Sequence, residues 1–231
     1  MVTPSQTNLA EAIIYPDSDG RPMADNTKQF RWIVTIKENL EVLFADNPGV
    51  FVAGDLLWYP VEGNNRLCQA PDAMVVFGRP KGDRGSYQQW KEDNIAPQVV
   101  FEILSPGNTT TEMMRKLLFY QEYGVEEYYQ YDPDRNELVG SQRRNQALVA
   151  ISDLQGWVSP RLRIRFELTD ITLNLYAPNG DRFLTSVERS QALEQAQQQA
   201  AAEYQRAEAE RLRNEALAAK LRELGIDPDT I

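Results

Sequence analysis

The chain contains no histidine and a single cysteine, Cys68. The first absence removes an imidazole general base, any Ser-His-Asp or Cys-His arrangement, and every His-ligated zinc or iron site. The second excludes an intramolecular disulfide framework. A reducing cytoplasm is therefore the expected compartment, since the opening residues also lack a charged segment followed by an apolar one. No run approaches the ~18 apolar residues of a membrane span. Positive charge is scarce too. There are 24 Lys and Arg against 34 Asp and Glu, a formal net charge of −10, which argues against a general nucleic-acid coating protein but leaves room for a local basic groove. With no imidazole and one thiol, a catalytic metal would be held through oxygen, which suits Mg2+ or Mn2+.

What is present is ample core material: 231 residues, 42% hydrophobic, enough for one ordinary domain with an extension. The boundary falls near residue 186. Residues 1–28 are polar and punctuated and read as an arm with turns. Apolar residues then recur at helical spacing from Gln29 to about Ala45. Val50–Tyr59 and the stretch opening on Pro71-Asp72 and running to Phe77 read as strands, as does Glu127–Asp132. From about Val187 to Leu224 the sequence has no Gly or Pro, is rich in Gln, Ala, Glu and Arg, and is nearly neutral, which predicts a long helix there, stopped before Gly225 and Pro228, within a C-terminal helical extension over 187–231. Leu193, Ala196 and Ala200 begin a seven-residue pattern that later polar positions weaken, so self-association is a better expectation for this helix than nucleic-acid binding.

The stretch from Gln98 to Lys116 organises the rest. Val99, Val100, Phe101, Ile103 and Leu104 form an apolar run with one carboxylate, Glu102, in its middle. A buried unpaired carboxylate costs roughly several kcal/mol, so a positive partner is expected. Ser105-Pro106-Gly107 ends the strand. Thr109 as N-cap with Glu112 three residues on predicts a capping box and a helix that Gly124 closes. On that helix Glu112, Lys116 and Tyr120 recur at i, i+4 and i+8 and share a face. If the strands of Asp72 and Glu102 are neighbours, two carboxylates and a lysine come together, a constellation suited to phosphodiester cleavage. Each residue also has a structural reading: Asp72 in a turn, Glu102 in a buried ion pair with Lys116, Lys116 paired with Glu112. Arg161, Arg163 and Arg165 alternate with apolar residues, which fits a charge-guarded edge strand or a phosphate-facing stripe.

Pro71-Asp72 followed by Glu102 resembles the PD-(D/E)xK nuclease superfamily. More narrowly, the chain resembles the Uma-type restriction endonucleases abundant in cyanobacteria. That likeness runs through Asp19-Gly20-Arg21-Pro22-Met23, Val52 to Leu57, Ala70-Pro71-Asp72, Glu102 to Pro106, Lys116 with Tyr120, Gly124 to Tyr128, Asp132-Pro133 and Leu221 to Pro228. The resemblance implies an α/β fold, a mixed sheet flanked by helices in the order helix, three strands, helix, strand. It also implies a metal-dependent endonuclease acting on DNA, with Asp72 and Glu102 as ligands of Mg2+ or Mn2+. The superfamily carries a lysine two residues after the glutamate, where this chain has Leu104, and Lys116 is the natural substitute. Asp55, and after it Glu41, are candidates to complete the cation's surroundings, and Tyr120 to hydrogen-bond a phosphate or Lys116. A homodimer is expected, assisted by the C-terminal helix. The alternative from another class is a catalytically silent nuclease fold that binds nucleic acid or a protein partner and oligomerises through that helix.

Overall fold

The computed structural model describes residues 13–20, 22–225 and 227; Arg21, residues 1–12 of the expected arm, and Ile226 and Pro228 of the C-terminal motif lie outside the described residues. The chain divides into two compact units, Met1–Phe183 and Leu184–Ile231.

In the first unit, helix α1 (Thr27–Leu43) starts where the Asn26 side chain accepts hydrogen bonds from the N–H groups of Lys28 and Gln29. Strand β1 (Val50–Ala53) follows, then the two-residue strand β2 (Trp58–Tyr59), β3 (Ala73–Phe77) and the two-residue β4 (Tyr87–Gln88). The buried strand β5 (Val99–Ile103) leads through a tight loop into helix α2 (Thr110–Glu122). After it come β6 (Glu127–Asp132), β7 (Glu137–Arg144), β8 (Ala147–Ala150), β9 (Arg165–Leu168) and β10 (Leu173–Tyr176). The helix, three-strand, helix, strand order is thus present as α1, β1, β3, β5, α2 and β6.

Six strands form one mixed sheet in the order β1-β3-β5-β6-β7-β8. Within this sheet β5 and β6 alone pair in parallel, and they are the two strands joined through α2, as a crossover connection requires. Alternation along the strands divides the core. Val75, Val99, Phe101, Ile103 and Tyr129 pack with Ile33, Ile36 and Leu40 of α1 and with Phe166 and Leu173, on one face. Met74, Val76, Val100 and Tyr128 pack with Trp58, Tyr87 and Tyr120 on the other. Glu102 and Asp72 share the parity of Val100 and Met74, so their carboxylates belong to the α2 face.

Two expectations are corrected. Val50–Tyr59 is not one strand: Asp55 adopts a left-handed φ of 49°, which ends β1 and lets Trp58 and Tyr59 pair in parallel with β4 instead. Nor do Arg161, Arg163 and Arg165 line one face of a strand. Arg163 is left-handed at φ 61°, and β9 begins only at Arg165. The bonded arginines are also engaged, Arg161 with Glu126 and Arg165 with Glu167.

The second unit is helix α3 (Ser186–Glu223), opened by a full capping box between Thr185 and Glu188 and containing no buried residue. No helix among the described residues is long and apolar enough to cross a membrane.

Candidate active site

Sheet register builds the site. Ala73 of β3 lies opposite Phe101 of β5, so one further step in this antiparallel pairing sets Asp72 against Glu102. The ladder between β1 and β3 continues in the same way, the N–H of Asp55 donating to the carbonyl of Pro71 at 3.0 Å. Gly54 permits that approach, because a Cβ there would sit 3.3 Å from the backbone oxygen of Asp72 and from the Lys37 stem. Three carboxylates, Asp55, Asp72 and Glu102, therefore come from the ends of three adjacent strands.

Glu102 is 2% exposed and both its oxygens are engaged. Lys116 reaches back from α2 to donate to Oε2 at 2.7 Å, and the Tyr120 hydroxyl donates to Oε1. Tyr120 is wholly buried and stacked beside Trp58, which fixes its ring. The phenol thus serves Glu102 itself, where the sequence suggested a phosphate or Lys116 as its partner. The helix is aimed by Thr109, whose side chain accepts from the Glu112 N–H at 3.2 Å, the half of the expected capping box that forms. Asp72 accepts the N–H of Ile103 at 2.5 Å through Oδ2.

Electrostatics follow from crowding of like charge in a dry place. Burial first, and then the charge of Glu102, push the Asp72 carboxyl well above the usual range, against the pull of Lys116 and of the Ile103 N–H. Asp55 moves the same way, through burial and then the neighbouring Asp19. Burial alone would lower Lys116, but the charges of Glu102 and Asp72 and the hydrogen bond to Glu102 outweigh it and raise its pKa.

Asp55, Asp72 and Lys116 face a cleft of about 460 Å³, lined among others by Asp19, Asp25, Glu112 and Arg115. Glu41 does not line it; it pairs with Lys37 on the outer face of α1. Leu104 lines a separate cavity with Ser105 and Met113, so position 104 does not face the carboxylates' cleft.

Sequence reasoning missed what the arm contributes. Tyr15 packs against Tyr59 and Trp90 at ring-centroid distances of 5.2 and 4.8 Å, and the Tyr59 hydroxyl donates to the carbonyl of Pro16. This strap delivers Asp19 to the cleft wall. Farther on, the Ser105 hydroxyl donates to Asp25, and Gln29 donates to the carbonyl of Ile103 at 2.8 Å. The Asp-Gly-Arg-Pro-Met motif was the available signal for Asp19; nothing local marks Asp25 or Gln29.

Among the described residues no group of three or more Asp, Glu, Cys or His side chains forms a ready-made metal cage. Mg2+ does not demand one, since it commonly takes one or two carboxylates and keeps water or phosphate oxygens in its remaining positions. Asp72, which lines the cleft, and Glu102, buried beside it and raising its pKa, fit that requirement in donor chemistry, with Asp55 next in line.

A solved structure described as a putative nuclease from Anabaena variabilis is similar to this chain at 15% identity, over 56% of this chain and 70% of that one, with a TM-score of 0.41. A comparison with curated proteins gives no match. The family model described as Uma2, putative restriction endonuclease, matches residues 19–174. That span is well over half of the chain and takes in every residue of the cleft named above, and the chain belongs to the Uma2 family.

Proposed function

We propose that this protein is a Mg2+- or Mn2+-dependent DNA endonuclease in which Asp72 and Glu102 hold the cation and Lys116 assists. The observation that carries the reading is the contact between Lys116 and Glu102. Leu104 stands where the superfamily has its lysine, and the ammonium arrives from α2 instead, at 2.7 Å from the carboxylate. Family membership supports phosphodiester hydrolysis as the reaction class.

A divalent cation at these carboxylates would supply charge to the phosphate and lower the pKa of the attacking water. Asp72 and Glu102 provide the anionic oxygens, and Tyr120 keeps Glu102 in one orientation. Lys116 holds a protonated ammonium beside the place where negative charge grows on the phosphoryl oxygens. A homodimer, with α3 of one copy against that of another, would present two such sites to two strands.

The test is cleavage of supercoiled and linear plasmid with Mg2+ or Mn2+ at low salt, comparing the wild type with Asp72→Asn and Glu102→Gln. Metal-dependent cutting lost in both variants is the expected result. No cutting by the wild type in either metal would overturn the reading. It would favour the silent, binding role instead, which the engagement of both Glu102 oxygens by Tyr120 and Lys116 also suits.

A further inference from the structure

The cleft is a poor host for a polyanion. Five carboxylates line it against two cations, Arg115 and Lys116, and the whole chain carries a net charge of −10. Lys116 is already committed to Glu102. Arg115, the preceding residue on α2, is turned about 100° from it around the helix axis, is exposed, and lines the same cleft. Among the described residues it has no hydrogen-bond or ion-pair partner. Glu112 lies three residues earlier on the same helix, within ordinary reach of a side-chain pair, and is not taken. Several other arginines of this unit are occupied. Arg79 and Arg84 both bind Glu92, Arg161 binds Glu126, and Arg143 donates to the carbonyls of Val125 and Gln121. Among the described residues lining the cleft, Arg115 is the arginine, and its guanidinium is uncommitted.

We propose that Arg115 grips a backbone phosphate of the nucleic-acid substrate, a different one from the phosphate that meets the carboxylates and the Lys116–Glu102 pair. The planar fork of the guanidinium matches two phosphate oxygens, and such a contact positions the strand without reading its sequence. This assignment rests on the nuclease reading above.

The experiment uses the full chain and a fluorescein-labelled mixed-sequence DNA duplex. Binding is followed by anisotropy in Ca2+ over a range of salt, and cleavage is followed separately in Mg2+ and Mn2+. Arg115→Gln is compared with wild type and with Arg144→Gln, which removes the same charge from an exposed residue outside the cleft. The expected result is an affinity about tenfold weaker for Arg115→Gln, with the slope of log K against log salt reduced by about one. Its melting temperature should be unchanged and its cleavage rate at saturating duplex near that of wild type. Arg144→Gln should bind as wild type does. If wild type cuts DNA while Arg115→Gln binds as tightly, or no more weakly than Arg144→Gln, this assignment is overturned and the nuclease reading stands. If wild type neither binds nor cuts DNA, both fall together.

Discussion

Lys116 and Glu102 meet at 2.7 Å although fourteen residues, a strand end, a loop and a helix start separate them in the sequence. Glu102 is 2% exposed, and this partner and Tyr120 are what its carboxylate meets in the interior. Lys116→Met leaves that carboxylate buried without a countercharge, at a cost of roughly 3 to 5 kcal/mol. A melting temperature lower by about 10 °C is expected. Lys116→Arg keeps the charge and should fold nearly as wild type while cutting DNA about a hundredfold more slowly. Thermal melts alongside single-turnover cleavage separate the two roles, and wild-type cleavage by the Arg variant would contradict a lysine-specific one.

Tyr120→Phe removes one donor from Glu102 and leaves the ring packing in place. The loss of a hydrogen bond to a buried carboxylate predicts destabilisation of about 1 to 3 kcal/mol. More Mg2+ should also be needed for half-maximal cutting, because Glu102 is no longer held in one orientation. A variant that matched wild type in both denaturant titration and Mg2+ dependence would show that Lys116 alone orients Glu102.

The raised Asp72 and Asp55 carboxyls give a signed pH dependence. The folded chain holds these protons more tightly than the unfolded chain, in which an aspartate titrates near 3.8. Their contribution to stability is full below that value and is lost as pH rises through the raised folded values. In EDTA the gap in melting temperature between Asp72→Asn and wild type should therefore widen from about pH 4 toward neutrality, the variant becoming the more stable by a few degrees. A gap that stayed constant with pH would show that Asp72 is not destabilised by its charge.

Helix α3 exposes Leu193, Tyr204, Leu212 and Leu217 and buries nothing among the described residues. A long helix gains most of its stability from a packed face, which favours a second copy as the cover. Light scattering at micromolar concentration should give a dimer mass, and Leu217→Glu should shift it toward monomer without changing the melt of the first unit. A monomeric wild type would rule the dimer out.

Glu102 was legible because a lone carboxylate in an apolar run demands a partner, and the helical spacing of Lys116 and Tyr120 pointed to it. Glu127 shows why that logic is incomplete. It is equally buried, at 1% exposed, yet it is satisfied by the hydroxyls of Ser159 and Tyr129 and the N–H of Arg161, two of which come from more than thirty residues away. No local pattern records such donors. The turn at Asp55 was hidden by strand propensity on both sides of it, and the arginine alternation misled because Arg163 takes a left-handed φ that a period-two pattern cannot register. Asp25, Gln29 and Arg115 matter only through the cleft they share.

The carboxylates stand in a row because three strands are locked in register, and that has a consequence during synthesis. Asp55 and Asp72 leave the ribosome well before Glu102, and α2 must close over β5 before Lys116 can reach it. A slip of one residue between β3 and β5 would turn Asp72 to the α1 face. An unfinished chain lacks part of the site, and a misregistered one carries every side chain of it without assembling it. A site built this way exists only once the fold is complete.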